Sequence, residues 1–215
     1  MMDLIERVRK HPACDTGDAL LKLGLRPDKI SMFTLRPAYE VTRTIAGPAV
    51  TIQYALAREE ADRSEVRRLM YRPIDEARPG SVLVITGGLP HFGLFGDIMA
   101  TSCKVKGFEG AVIEGGTKDS MGLKALDFPT FCYRPALVGA LFGKYAKPVA
   151  CNTPVVCDGV EVNPGDIVVA DNDGICVFPP SLLGKVVEML EEQAKKEAAA
   201  KGKLMAGASL FDAYP

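Results

Sequence analysis

Three charged groups in this chain are spaced so that they could act together. Asp97 stands near the start of "GDIMATSCKVKGFEGAVIEGGTKD", residues 96–119, and Lys118-Asp119 closes it after twenty intervening residues. Two carboxylates with free space between them suit a hard divalent cation that keeps several of its waters, such as magnesium or manganese. A lysine beside them can hold an anionic substrate or steady a developing negative charge. The plainer reading competes: an aspartate near a helix start often serves only as a cap or a dipole partner. A Lys-Asp pair in a loop is often no more than a solvated pair. The two readings differ in whether the fold brings the groups together.

The elements around them predict that it does. "SVLVITGG" is a continuous apolar run ending in glycines, which predicts a buried strand over 81–86. Helical spacing covers 97–106, with Gly107 at the stop, and "GAVIEGG" predicts a second buried strand over 110–114. Strand, helix and strand make one crossover unit with parallel strands. The loops after both strands then lie at one sheet edge, in the crevice where open α/β sheets take ligands. Asp97 starts the helix there, and Lys118 and Asp119 follow the second strand there. The amides of Gly96, Asp97, Ile98 and Met99 at that helix start lack helical acceptors and suit an anion. The glycine-rich "TGGLPHFGLFG" has no P-loop pattern and makes a poor dinucleotide fingerprint. His91, in the loop before Asp97, is either a spare acid or base or a surface residue.

Elsewhere the sequence predicts supporting layers. "DLIERVRK" and "DTGDALLKLGL" read as helices, the second capped by Asp15 or Thr16 and stopped at Gly24. "TIAGPAVTIQYA" reads as a strand that Gly47-Pro48 interrupts with a bulge or edge. Residues 57–72 read as a charged surface helix or loop. "PVVCDGVEVNPGDIVVADNDGICVFP" alternates strands with turn signals and reads as an antiparallel meander. Ser181 is placed to cap a long helix running to about residue 202. The fold class is α/β, a parallel β-α-β core joined to an antiparallel layer. Residues 1–180 form one domain in this reading. Residues 181–215 form a C-terminal helix and tail that pack on a neighbouring subunit.

Composition narrows the partners. The 26 basic and 27 acidic residues give a formal charge of −1, so charge offers no reason to propose nucleic acid. Six cysteines include no C-x-x-C pair, which argues against structural zinc and a disulfide framework. No apolar run approaches a membrane span, and "MMDLIERVRK" is charged rather than leader-like. The expected home is the cytoplasm.

Four blocks carry a resemblance to a known family: "DTGDALLKLGL", "TIAGPAVTIQ", "FGDIMATSCKVKGFEGAVIEGG" and "VEVNPGDIVVADNDGICVFP", in that order. Together they resemble the RraA-like family, which includes class II pyruvate aldolases acting on 4-hydroxy-4-methyl-2-oxoglutarate. The aldolase signature is an aspartate, twenty residues, then Arg-Asp; here it reads Asp97, twenty residues, then Lys118-Asp119.

The resemblance implies a swivelling β/β/α-type fold and a divalent-metal-dependent lyase, with magnesium or manganese as cofactor and oxaloacetate decarboxylation as an accessible side activity. It implies Asp119 as direct metal ligand, Asp97 as holder of a metal-bound water, and the Ile98 and Met99 amides as the seat of the pyruvyl carboxylate. Lys118 stands where the family's arginine contacts substrate. Arginine offers a planar fork and lysine a point charge, so this position departs from the pattern. A glutamate from the adjacent subunit's C-terminal helix completes the aldolase site; Glu197 matches best by position, then Glu192. Glu114 stands where an aspartate is usual. The resemblance also implies a homotrimer, or a homohexamer made from trimers.

Two rival readings stay open. Lys118 could form a Schiff base if its pKa were depressed, although two nearby carboxylates favour the charged amine. Alternatively, the chain is a non-catalytic regulator, as are family members that bind and inhibit a ribonuclease assembly.

Overall fold

The computed structural model describes residues 1–141 and 143–214. Its centre is a mixed sheet in which Ile45–Leu56, Val82–Phe95, Gly110–Thr117 and Thr130–Pro135 run parallel as neighbours. Beyond Ile45–Leu56 the sheet continues antiparallel through Ile167–Ala170, Ile175–Phe178 and Ser31–Met32. Arg36–Pro37 closes the other edge. Helices Arg63–Asp75, Asp97–Val105 and Ser120–Ala125 make the crossovers between the parallel strands.

Period-two alternation builds two cores from one sheet. Ile52, Tyr54, Leu83, Ile85, Ala111 and Ile113 face the crossover helices, where they meet Met70, Ile74, Ala100, Cys103 and Leu123. Their neighbours Ala49, Val82, Val84 and Val112 face the opposite side, against Met32, Leu35 and the hairpin strands Val155–Cys157 and Val160–Val162. Leu83 and Ile85 are fully buried. Truncating either to alanine costs about 2–5 kcal/mol, because the crossover helices cannot collapse onto the gap.

A third core lies under helices Met2–Val8, Ala13–Lys22 and Leu183–Met205. There Ile5, Leu20, Leu183, Val186, Val187 and Leu190 pack against Ile167, Val169 and Phe178. The first half of the C-terminal helix therefore belongs to this chain's own core. The tail helix Leu210–Ala213 folds back on it, with Ala213 buried and Gln193 donating to the Tyr214 hydroxyl at 3.0 Å.

Several local readings change. The second helix starts at Ala13 after Pro12, so Asp15 and Thr16 lie inside it and neither caps it. Gly47-Pro48 sits mid-strand, where antiparallel pairing to Ile167–Ala170 gives way to parallel pairing with Val82–Phe95; the register shift falls later, between Gln53 and Tyr54. The expected meander is two separate hairpins, since Val155–Cys157 and Val160–Val162 form their own small sheet. Ser181 lies in a 3-10 turn, Pro180–Leu182, and Leu183–Met205 begins without a side-chain cap. The region read as a glycine-rich loop is strand: Val82–Phe95 runs through it with three register shifts against Gly110–Thr117 and a short parallel pairing to Val138–Gly139.

Candidate functional site

The crossover returns the chain to its starting edge. The Lys118 amide donates to the Phe95 carbonyl at 2.8 Å, and buried Thr117 donates its hydroxyl to the same oxygen at 3.2 Å. These bonds tie the end of the second strand to the end of the first. Across this junction the Asp97 amide points at Asp119 Oδ2, 3.5 Å away. The first bond within helix Asp97–Val105 is Ala100 N–H to Gly96 carbonyl, so the Ile98 and Met99 amides lack helical acceptors.

Neither aspartate serves its own helix as a cap. Gly96 is the N-cap residue of Asp97–Val105 and has no side chain to cap it. Asp119 is the N-cap residue of Ser120–Ala125, yet its carboxylate makes no capping bond. Its backbone is left-handed, φ 58°, a conformation aspartate tolerates better than most residues. This conformation sends the chain into the new helix while the side chain turns back across the junction. Among the described residues, Asp97, Lys118 and Asp119 form no ion pair within 4.0 Å. Among the described residues neither carboxylate is therefore engaged in an ion pair, although Lys118 precedes Asp119 in the chain.

Two glycines make the space. A Cβ on Gly96 would stand 2.7 Å from Asp119 Oδ2, and one on Gly93 would stand 2.4 Å from Lys118 Cγ. The lysine stem is thus laid against bare backbone. The carboxylate is held directly over a helix start.

Lys118 and Asp119 line a cavity of about 300 Å³, together with Gly96, Ile98 and Met99. The remaining wall comes from Tyr54, Val66, Met70, Tyr71, Leu94, Ala140, Leu141, Ala146 and Pro148. Asp97 stands at the rim, its carboxylate against Gly122 of the next helix. The two carboxylates are hard-oxygen donors with room for water, which fits a magnesium- or manganese-type cation, while the free amides suit an anion. Among the described residues no group of three or more His, Cys, Asp or Glu gathers to hold a metal. A cation here would therefore rest on these two carboxylates, water and the substrate's own oxygens.

The other candidates fall elsewhere in the chain. Glu114 accepts from the Gly87 and Gly88 amides at 2.9 and 3.1 Å and from the Asp158 amide at 3.0 Å. It ties strand Val82–Phe95 to the hairpin turn at Asp158 and does not line the cavity. His91 is exposed on Val82–Phe95, also off the cavity. Glu197 accepts from Gln193 at 3.0 Å, which holds its carboxyl below the usual range; Glu192 pairs with Lys196 at 2.7 Å with the same effect. Both line a charged groove against helix Ala13–Lys22 rather than this cavity. The wall residues from 54 to 71 and from 140 to 148 were not legible as site residues. Val66 and Met70 mark an apolar helix face, but nothing local says that the face borders a cavity.

The RraA-like family (Aldolase/RraA) matches residues 13–177. A provisionally named 4-hydroxy-4-methyl-2-oxoglutarate aldolase of Halalkalibacterium halodurans is 32% identical over 198 residues, covering 92% of this chain and 85% of that one. Protein DlpA of Legionella pneumophila is 29% identical over 94% of this chain, which spans only 32% of DlpA. The solved structure of Streptomyces coelicolor RraAS2, described as an unusual member of the RNase ES inhibitor RraA protein family, superposes with a TM-score of 0.80. It is 26% identical, with 93% of this chain and 96% of that one covered.

Proposed function

Since the chain belongs to the RraA-like family, we propose that it is a divalent-metal-dependent carbon–carbon lyase that releases pyruvate from a 4-hydroxy-2-oxo acid. The observation that carries this is the meeting of Asp119, Lys118 and the free amides of Ile98 and Met99 in one cavity. A regulator that only bound a protein surface would have no need of unpaired carboxylates there. The name of the Halalkalibacterium relative agrees with the lyase reading.

The residues divide the task as follows. The Ile98 and Met99 amides receive the substrate carboxylate at the helix start. Asp119 would hold the cation directly and Asp97 through a bound water, and the cation would supply Lewis acidity toward the keto oxygen. Lys118 places its ammonium where negative charge develops as the C3–C4 bond breaks. The 4-hydroxyl loses its proton, C4 becomes a carbonyl, and the C3–C4 electron pair passes to C3 as an enolate. Protonation of C3 then gives pyruvate. Asp97, at the rim, is placed to position the water that moves these protons. Loss of carbon dioxide from oxaloacetate leaves the same enolate, so the site accommodates that reaction too. We assign Glu197 of an adjacent copy, in a trimer or hexamer, as a further holder of water.

The test is pyruvate release from a panel of 4-hydroxy-2-oxo acids and oxaloacetate, with magnesium or manganese and with chelator. Metal-dependent release that Asp119→Ala abolishes is expected. Full activity in chelator, or in Asp119→Ala, overturns the proposal. The likeness to RraAS2 favours one other reading, a ribonuclease-binding regulator. Inhibition of a ribonuclease assembly by a chain that releases no pyruvate from any acid would establish it instead.

A further inference from the structure

Glycine weakens a strand, because it brings conformational entropy to lose and no side chain to pack. Gly93 and Gly139 nevertheless face each other across the parallel pairing of Val82–Phe95 with Val138–Gly139. Neither has the positive φ that favours glycine, so the backbone gives no reason for the choice. Their neighbour does. A Cβ on Gly93 would stand 2.4 Å from Lys118 Cγ and 3.1 Å from its Cδ, and one on Gly139 would stand 3.6 Å from the same Cδ. The lysine stem thus lies across a track of bare backbone shared by two strands.

What the stem carries gives the track its use. A free lysine side chain samples many rotamers, and ordering them on binding weakens the hold on a ligand. Here the Lys118 amide is bonded to the Phe95 carbonyl at 2.8 Å, which fixes where the side chain starts, and the track fixes the direction in which it leaves. With a methyl group at position 93, Cγ must retreat by about 1 Å to reach ordinary contact at 3.4 Å. Lys118 Cβ, 3.5 Å from the new methyl, can stay. The stem therefore has to turn about its Cα–Cβ bond, and that turn displaces the ammonium further than it displaces Cγ.

We infer that Gly93 is a positioning residue, which sets where the Lys118 ammonium sits for an anionic ligand. This rests on the lyase reading only for the approach of a substrate anion to Lys118, and it can be measured without turnover. Oxalate is the probe, a compact dianion that resembles the pyruvate enolate and carries no hydroxyl from which cleavage could start. Titration calorimetry with manganese present would compare the parent, Gly93→Ala, Lys118→Ala and the double variant. Gly93→Ala is expected to weaken oxalate binding about tenfold, the order of one hydrogen bond to a charged group. Lys118→Ala has no Cγ to displace, so adding Gly93→Ala to it is expected to change binding by less than about twofold. Losses that simply add overturn the inference, because Gly93 would then act on the fold at large. Undiminished binding in Gly93→Ala overturns it too, as does oxalate binding that Lys118→Ala leaves unchanged, or failure of oxalate to bind the parent. Should Gly93→Ala not fold, the double variant, which lacks the clash, is expected to fold by thermal melt; failure of both overturns the inference. Coupled losses in a protein that releases no pyruvate would sink the lyase reading and leave this inference standing. Pyruvate release with additive losses would do the reverse.

Discussion

Gly96→Ala separates the site from the fold. Gly96 has φ −168° and ψ −174°, extended backbone that alanine adopts without strain. Its new Cβ would stand 2.7 Å from Asp119 Oδ2, where ordinary contact begins at 3.4 Å, so the carboxylate must retreat by roughly 0.7 Å. The atom that yields is the free end of an exposed side chain, and moving it costs the fold little. The carboxylate nevertheless loses its place over the helix start. A displacement approaching 1 Å at a reacting centre costs on the order of 10²-fold in rate, or about 2.7 kcal/mol of transition-state stabilisation. Pyruvate release coupled to lactate dehydrogenase, beside a thermal melt, reads both effects. A melt unchanged within about 2 °C and a rate lowered about a hundredfold are expected. A rate within about twofold of the parent would refute the placement of Asp119 in the chemistry.

Lys118→Met keeps the stem that lies against Gly93 and removes the charge; kcat/KM is expected to fall about 10²-fold, measured by the same coupled assay. Glu114→Ala leaves the Gly87, Gly88 and Asp158 amides without their acceptor; urea denaturation is expected to show a loss of about 2–3 kcal/mol with metal binding intact. Arg7 donates to both oxygens of Glu191, at 2.8 and 2.9 Å, and this hydrogen-bonded pair holds the carboxyl below its ordinary 4.5. Its contribution is whole above pH 4.5 and is lost as pH falls through the lower folded value. Melting temperature against pH should therefore fall less steeply below that point in Arg7→Gln.

The crossover unit was legible because each part carries its own local signal: an apolar run, a helical period with Gly107 at its stop, and a second apolar run. From those the meeting of Asp97 with Lys118-Asp119 followed by topology alone. Three things escaped. The stretch from Gly87 to Phe95 carries glycines and a proline that signal a loop, but discontinuous pairing to Gly110–Thr117 and to Val138–Gly139 holds it as strand. Glu114 looked like a charged strand end because the amides it serves come from a neighbouring strand and a hairpin turn 26 to 44 residues away. The cavity wall escaped because Tyr54, Met70 and Ala140 become neighbours only after the sheet has formed. The proposed reaction and the proposed role of Glu197 from another copy rest on the resemblance, while the choice of a hard divalent cation rests on the two carboxylates.

The central claim is that these residues generate a pyruvate enolate, and that step can be observed without knowing the natural substrate. Pyruvate would be incubated with the protein in deuterium oxide and the methyl proton signal followed by NMR. Loss of that signal with magnesium or manganese, stopped by chelator and absent in Asp119→Ala, is the predicted result. A methyl signal that persists at the uncatalysed rate with metal present would contradict it.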